Sequence, residues 1–244
     1  MVKIYDEYDF FAYFYNKYWM KYSPAYFQEA LDLLFYKYLK KGDNILDLCC
    51  GTGHMAGYFE EAGYNVYGVD GSNAMLSYAK ENAKKSKFYQ MDARDFTLDV
   101  NFRAITCLFD SINHMLKEDD LLKVFKSVYN HLEDKGLFFF DVNSLEVCEN
   151  VYLGDITAVE EDSVFISRGM YDEKEELITY MLTYFIKEEG SWLRHDSRIY
   201  EKYYSEKQIS SLLKKAGFSE VDIVYGTDID IEALEDRIFF TAWK

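Results

Sequence analysis

The chain has 244 residues, a length suited to one large domain or to one domain that carries an insertion. With 49% hydrophobic and 29% charged residues it is not a disordered polymer, and it can bury a sizeable core. A formal net charge of −16 speaks against nucleic acid as a partner and favours a neutral or cationic small molecule, although acidity also serves solubility by itself.

Residues 1–40 are dense in aromatic rings, among them Tyr5, Tyr8, Phe11, Phe14, Tyr15, Trp19 and Tyr22. They read as one or two helices broken near Ser23-Pro24, the second running over about 25–39. Such a helical lid can pack through one face and line a pocket through the other. From Asn44 the rhythm becomes strand, turn, helix. Strands are expected over 45–48, 65–69, 87–90, 104–109 and 137–140, with helices over 54–62, from Ser72 to about 84, and near 119–132. That alternation predicts a parallel sheet with helices on both faces. The rhythm then changes: residues 163–170, 177–187 and 191–203 read as an antiparallel meander, with Ile178, Tyr180, Leu182, Tyr184 and Ile186 on one face. Ser205 and Gln208 form a capping box for a helix ending at Ala216-Gly217, and strands over 221–225 and 237–243 follow, linked by an acidic loop over 228–236. The expected division is therefore 1–150 with 205–244 as the main α/β unit, 1–40 being its lid, and 151–204 as an insertion.

Cys49, Cys50, Cys107 and Cys148 show no metal-ligand spacing, so no metal is expected, and their usage fits a reducing compartment. No apolar run reaches bilayer length, and residues 1–9 lack a signal-peptide core; a cytoplasmic protein that does not enter the membrane is expected. Oligomeric state is not written in these features.

The chemistry concentrates at Ile45-Leu46-Asp47-Leu48-Cys49-Cys50-Gly51-Thr52-Gly53, a buried strand ending in a glycine turn that feeds a helix N-terminus. Backbone N–H groups and the helix dipole there make a nucleotide cradle. Gly51-Thr52-Gly53-His54-Met55-Ala56 satisfies G-x-G-x-x-A, and Asp70 ends the second strand, where a ribose needs a paired acceptor, so a dinucleotide enzyme has to be weighed. Asp47 before the loop and Asp92 after the third strand separate the two possibilities.

Residues 45–53 resemble motif I of class I S-adenosylmethionine-dependent methyltransferases. Val69-Asp70-Gly71-Ser72-Asn73-Ala74-Met75-Leu76, Gln90-Met91-Asp92-Ala93-Arg94-Asp95-Phe96 and Phe109-Asp110-Ser111-Ile112-Asn113-His114 are similar to the next three motifs, in the family's order and spacing. The resemblance implies a Rossmann-like, doubly wound seven-stranded sheet with a reversed last strand. It also implies S-adenosylmethionine as cofactor, with Asp70 and Gly71 at the ribose, Gly51 and the loop at the methionine part, Asp92 and the Ala93 N–H at the adenine amino edge, Met75 on the adenine face, Phe109 beside the cofactor, and Asp47 orienting the ammonium end. Cys49 stands where many members carry the first glycine; it is counted with the cofactor loop, in a turn expected to be less demanding, and its thiol reads as structural.

Phe11-Ala12-Tyr13-Phe14-Tyr15-Asn16 resembles a stretch of small-molecule N-methyltransferases, including amino-sugar and glycine N-methyltransferases, with Asn16 where an acid is usual. By that match Tyr15 lies near the sulfonium, and the inserted sheet roofs the substrate pocket, with Trp192, Arg194 and Tyr200 as candidates to face the acceptor. His114 and His195 are the candidate bases, and His114 and Tyr15 are carried as catalytic. The Asn/Asp-Pro-Pro-aromatic motif of nucleobase methyltransferases is absent after the fourth strand. The expected function is methyl transfer to a small molecule, nitrogen slightly ahead of oxygen; an NAD-dependent dehydrogenase and a non-catalytic S-adenosylmethionine-binding regulator are the alternatives.

Overall fold

The computed structural model describes residues 5–18, 23–151 and 155–244. Trp19 and Tyr22 of the aromatic segment lie outside the described residues. Strand β1 (Asn44–Leu48) is the centre: Ile45, Leu46 and Leu48 are fully buried, as a strand covered on both faces must be. It pairs in parallel with β2 (Asn65–Asp70) on one side and β4 (Phe102–Cys107) on the other. With β3 (Lys87–Gln90), β5 (Leu132–Asn143), β10 (Glu220–Tyr225) and β11 (Arg237–Trp243) the sheet runs β10-β11-β5-β4-β1-β2-β3. Strand β11 lies antiparallel between β10 and β5, which is the reversed last strand. Chain order reverses between β1 and β4, so their carboxyl ends splay the following loops apart and leave a crevice there.

Helices α3 (His54–Glu61), α4 (Asn73–Asn82), α5 (Glu118–His131) and α7 (Glu206–Ala216) cover the sheet. Strand β5 shows why both faces are apolar. Phe138 and Phe140 pack into the core on one side with Phe125 and Leu213, whereas Phe139 packs on the other with Phe35 and Phe59. Two N-caps are built as expected: Ser72 Oγ accepts the Met75 N–H at 3.1 Å, and Ser205 with Gln208 forms a full capping box.

Helix α1 (Asp6–Lys17) and α2 (Ser23–Leu34) replace the expected helix pair; α2 stops five residues short of Leu39 because residues Tyr36–Tyr38 tighten into a 3-10 turn. The insertion holds one more strand than its alternation suggested. β6 (Ile156–Val159) pairs antiparallel with β7 (Ser163–Asp172), which continues through β8 (Leu177–Glu188) to β9 (Ser191–Lys202). A short helix α6 (Leu145–Glu149) leads into it, and α7 follows it. α1 joins the two sheets: Phe11, Ala12 and Phe14 pack with Met75 of α4 and with Phe165, Leu182, Tyr184 and Ile199 of the inserted sheet. Among the described residues no helix is long and apolar enough to cross a membrane.

Candidate active site

Beyond β1 the backbone enters the left-handed region at Cys49 (φ 56°), Gly51 (φ 50°) and Gly53 (φ 75°). The turn is thus no less demanding at Cys49; a residue with a Cβ is held in a conformation that favours glycine, at about 1–2 kcal/mol. Gly53 has a second reason to be glycine, since a Cβ there would lie 2.7 Å from the Ala79 Cα of α4. The loop is tied to β2 through Asp70, whose Oδ2 accepts the Gly51 N–H at 2.9 Å and whose Oδ1 accepts the Ser72 N–H at 2.8 Å. Burial pushes the Asp70 carboxyl up to about 6, with these donors opposing it.

Above this loop opens a cavity of about 920 Å³. Of the residues singled out from the sequence, Tyr15, Cys49, Gly51, Asp70, Gly71, Met75, Ala93, Phe109 and His114 line it together. Asp47 and Asp92 do not. Asp47 lies beneath the loop, 3% exposed; Thr106 Oγ1 donates to its Oδ1 at 3.0 Å, the Ala56 N–H also supports its charge, and burial outweighs both and pushes its carboxyl up to about 7. Asp92 is clamped by Arg94, whose Nε and Nη2 donate at 2.8 and 2.5 Å, and the Tyr5 hydroxyl also reaches it. Burial works against its charge, yet these donors hold its carboxyl below the usual range. The Tyr5 ring fills the space that a Cβ on Gly71 would need.

The other end of the cavity is built from residues that are far apart in sequence. Phe109 (φ 58°) and Asp110 (φ 50°) are both left-handed, a strained pair held in place by its surroundings. The Asp110 N–H donates to Asp141 Oδ2 at 3.1 Å, and Arg237, the first residue of β11, bonds both carboxylates with Nη1, that of Asp141 at 2.9 Å. Glu201 of β9 is 4% exposed and has a carboxyl oxygen within 4.8 Å of Asp110 and His114; Asn143 Nδ2 donates to its Oε2 at 2.8 Å. His114, in the 3-10 turn Ser111–His114, has Nε2 at 3.9 Å from Glu201 and Nδ1 at 3.0 Å from the Tyr8 hydroxyl and 3.2 Å from the Tyr200 carbonyl. Asn113 fixes the turn by donating to the Lys202 carbonyl at 2.9 Å and accepting the Asn143 N–H at 3.1 Å. Burial lowers the His114 imidazole and keeps it neutral near pH 7.

Three expectations for the insertion are corrected. His195 is off the cavity, its ring stacked on Phe10 at 3.7 Å between centroids. Trp192 is half exposed and Arg194 pairs with Asp196, both away from the lining; Tyr200 alone of that group reaches the cavity. Sequence reading missed Tyr8, Arg94, Asp141, Glu201 and Arg237. For Glu201 a signal existed: it shares the inward parity of Ser197 and Ile199 on β9, where an acid in an apolar row is out of place.

A carboxylate at the end of β2 beside a glycine turn, a cavity over the switch point and a reversed last strand define a Rossmann-like nucleotide-binding fold. Residues 45–136 match the family described as "Methyltransferase domain". The chain is 30% identical to the Bacillus subtilis protein named "Putative methyltransferase YqeM", over 84% of this chain and 86% of that one. It is 27% identical to the dTDP-3-amino-3,4,6-trideoxy-alpha-D-glucopyranose N,N-dimethyltransferase of Streptomyces venezuelae, over 76% and 80% of the two chains. The crystal structure of an S-adenosylmethionine-dependent methyltransferase from Clostridium acetobutylicum superposes with a TM-score of 0.76 at 26% identity, covering 97% of this chain and 98% of that one. The chain belongs to the S-adenosylmethionine-dependent methyltransferases.

The residues present fit that cofactor. Asp70 lines the cavity, and its two carboxylate oxygens offer more acceptor sites than the Gly51, Gly71 and Ser72 N–H groups fill, which leaves acceptor capacity for the ribose. Gly51 keeps the gap to Tyr15 open, where a Cβ would come to 3.3 Å from the ring.

Proposed function

We propose that the protein methylates a small-molecule acceptor at nitrogen, with residues 151–204 forming the substrate side of the cavity and residues 1–150 with 205–244 the cofactor side. The observation that carries this is the single cavity that joins Asp70 and Gly51 to His114 and Glu201, with aromatic walls from Tyr8, Tyr15 and Tyr180. When bound, the cofactor supplies an electrophilic methyl group on a sulfonium. Asp70 holds the ribose, Gly51 and Cys49 offer backbone to the methionine part, and Ala93 and Met75 bound the adenine. Asp92, already clamped by Arg94, adds at most one further acceptor site there. Asp47 supports the loop from beneath. Tyr15 sets its ring and hydroxyl beside the sulfonium, which favours the cation.

An amine reacts only through a free lone pair, so its proton has to leave first. With Nδ1–H assigned toward the Tyr200 carbonyl, Nε2 of the neutral His114 is the basic atom on the cavity and takes that proton. The amino-sugar N,N-dimethyltransferase from Streptomyces supports nitrogen as the acceptor. The free cysteines and the acidic surface suit a cytoplasmic site of action.

Titration calorimetry with S-adenosylhomocysteine and with NAD tests the cofactor half: binding of the first and not of the second is expected, and the reverse overturns it. A methyl-transfer screen over amines and phenols tests the acceptor half. Transfer to amines is expected, transfer to phenols alone overturns nitrogen, and silence across both favours a regulator that only binds the cofactor.

A further inference from the structure

Glu201 and Asp110 meet inside the cavity as two carboxyl groups close enough that like-charge repulsion disfavours ionising both, so that the pair holds one proton. The ligand atoms of Asp110, His114 and Glu201 all lie within 4.8 Å of one another. Arg237 holds Asp110 ionised against its burial, while burial and the nearby Asp110 charge push Glu201 far up, so the shared proton sits on Glu201. Facing this pair are Arg237 from β11, Asp141 from β5, His114 from the adjoining turn, Tyr8 from α1, Tyr180 from β8 and Cys148 from α6.

We infer, on the basis of the nitrogen-acceptor reading, that the acceptor is a cationic amine with no carboxylate or phosphate beside the reacting nitrogen, and that its ammonium group binds between Asp110 and Glu201 in exchange for the proton they share. The balance is simple. Before binding, the pair carries one negative charge and one proton. Afterwards it carries two negative charges and one ammonium ion, and the proton has left to solvent. The net charge buried in the cavity is unchanged, so the cation enters without the large penalty of an uncompensated buried charge. The ammonium then stands beside Nε2 of His114, the group placed to deprotonate it for transfer.

The same residues exclude anions. Of the cations on the cavity wall, Arg237 is bound to Asp110 and Asp141, and Arg94 to Asp92 and Asp120. Arg198 also lines the cavity, but it lies three residues before Glu201 on β9, with its side chain on the opposite side of the strand from that carboxyl. A phosphate or carboxylate next to the reacting nitrogen would therefore face Asp110 and Glu201 with the Arg237 guanidinium beside them already bound to two carboxylates.

The test uses the full chain loaded with S-adenosylhomocysteine, titrated calorimetrically with benzylamine, benzyl alcohol and phenylglycine in buffers of different ionisation enthalpy at about pH 7. Benzylamine is expected to release about one proton per molecule bound and to bind at least about tenfold more tightly than the alcohol or the amino acid. E201Q is expected to abolish the proton release while leaving S-adenosylhomocysteine affinity unchanged, which a merely structural role for Glu201 would not produce. If E201Q does not fold, the proton count of the unaltered protein decides. No benzylamine binding, binding without proton release, or phenylglycine binding as tightly overturns the exchange. Methyl transfer to amines under any of those outcomes leaves the nitrogen reading standing, whereas transfer to phenols alone removes that reading itself.

Discussion

Asp70 is the residue on which cofactor affinity turns. Its carboxyl is pushed up to about 6 without the cofactor, and only its ionised form accepts two hydroxyls. S-adenosylhomocysteine should therefore bind more tightly as pH rises through about 6. Asp70→Asn should remove this dependence and weaken binding about ten- to a hundredfold, the scale of hydrogen bonds to a charged group; calorimetry across pH measures both. His114 acts on the other substrate. Its replacement by Asn should lower kcat about a hundredfold at neutral pH and leave S-adenosylhomocysteine affinity unchanged, the signature of a lost proton acceptor. Steady-state kinetics beside a binding isotherm would show it, and an unchanged kcat would remove His114 from the chemistry.

Among the elements, α1 and the turn into α3 decide whether the cavity closes. Phe14 of α1 is fully buried among Tyr184, Phe165 and Tyr18, with ring centroids at 4.8, 5.2 and 6.1 Å. Phe14→Ala should destabilise the fold by about 3–5 kcal/mol and weaken cofactor binding as well, because Tyr15 is carried on the same helix; thermal denaturation and calorimetry read the two effects. The α3–α4 contact makes a sharper comparison between glycines. Gly53 combines φ 75° with backbone of α4 at 2.7 Å from any added Cβ, whereas Gly190 has φ 83° and open space around it. Gly53→Ala is expected to cost at least about 2 kcal/mol and Gly190→Ala about 1, and equal losses in denaturant unfolding would contradict the close helix approach.

The molecule as a whole carries its acidity inward as well as outward. Asp47, at about 7, and Glu201, held well up, are protonated more readily folded than unfolded. The stability they contribute is full below their unfolded values and is lost as pH rises through the folded ones. His54 and His114, both lowered by burial, act oppositely: their contribution is present above about 6.5 and lost below it. The depressed carboxyls Asp92 and Asp110 titrate below 3.8, outside this window. Without ligand, the melting temperature should rise from pH 8 to 6.5 and climb more slowly below, where Asp70 and Asp141, pushed up to about 6, add to the gain and the histidines oppose it. A melting temperature that rises steadily with pH instead would mean that the buried acids are paired in a way the geometry does not show.

By itself the sequence determined the strand–turn–helix rhythm, the loop from Asp47 to Gly53, the N-caps at Ser72 and Ser205 and the cofactor's family. These are local: each rests on residue types within a few positions of one another, and the resemblance covers residues 45–114 as a continuous stretch. Only the tertiary structure decided which acids face the cavity. Asp47 and Asp92 sit at motif positions equivalent to Asp70 in the linear pattern, yet one is buried beneath the loop and the other is held by Arg94. The acceptor end is assembled from Tyr8, Asp110, His114, Glu201 and Arg237, contributed by α1, the turn after β4, β9 and β11. Whether a side chain at such positions is solvated or shares a proton depends on which strand edge arrives opposite it. Periodicity fixes the face of a strand but not its neighbour across space, so parity could mark Glu201 as inward-facing, and only the folding of β9 over His114 gave it Asp110 as a partner.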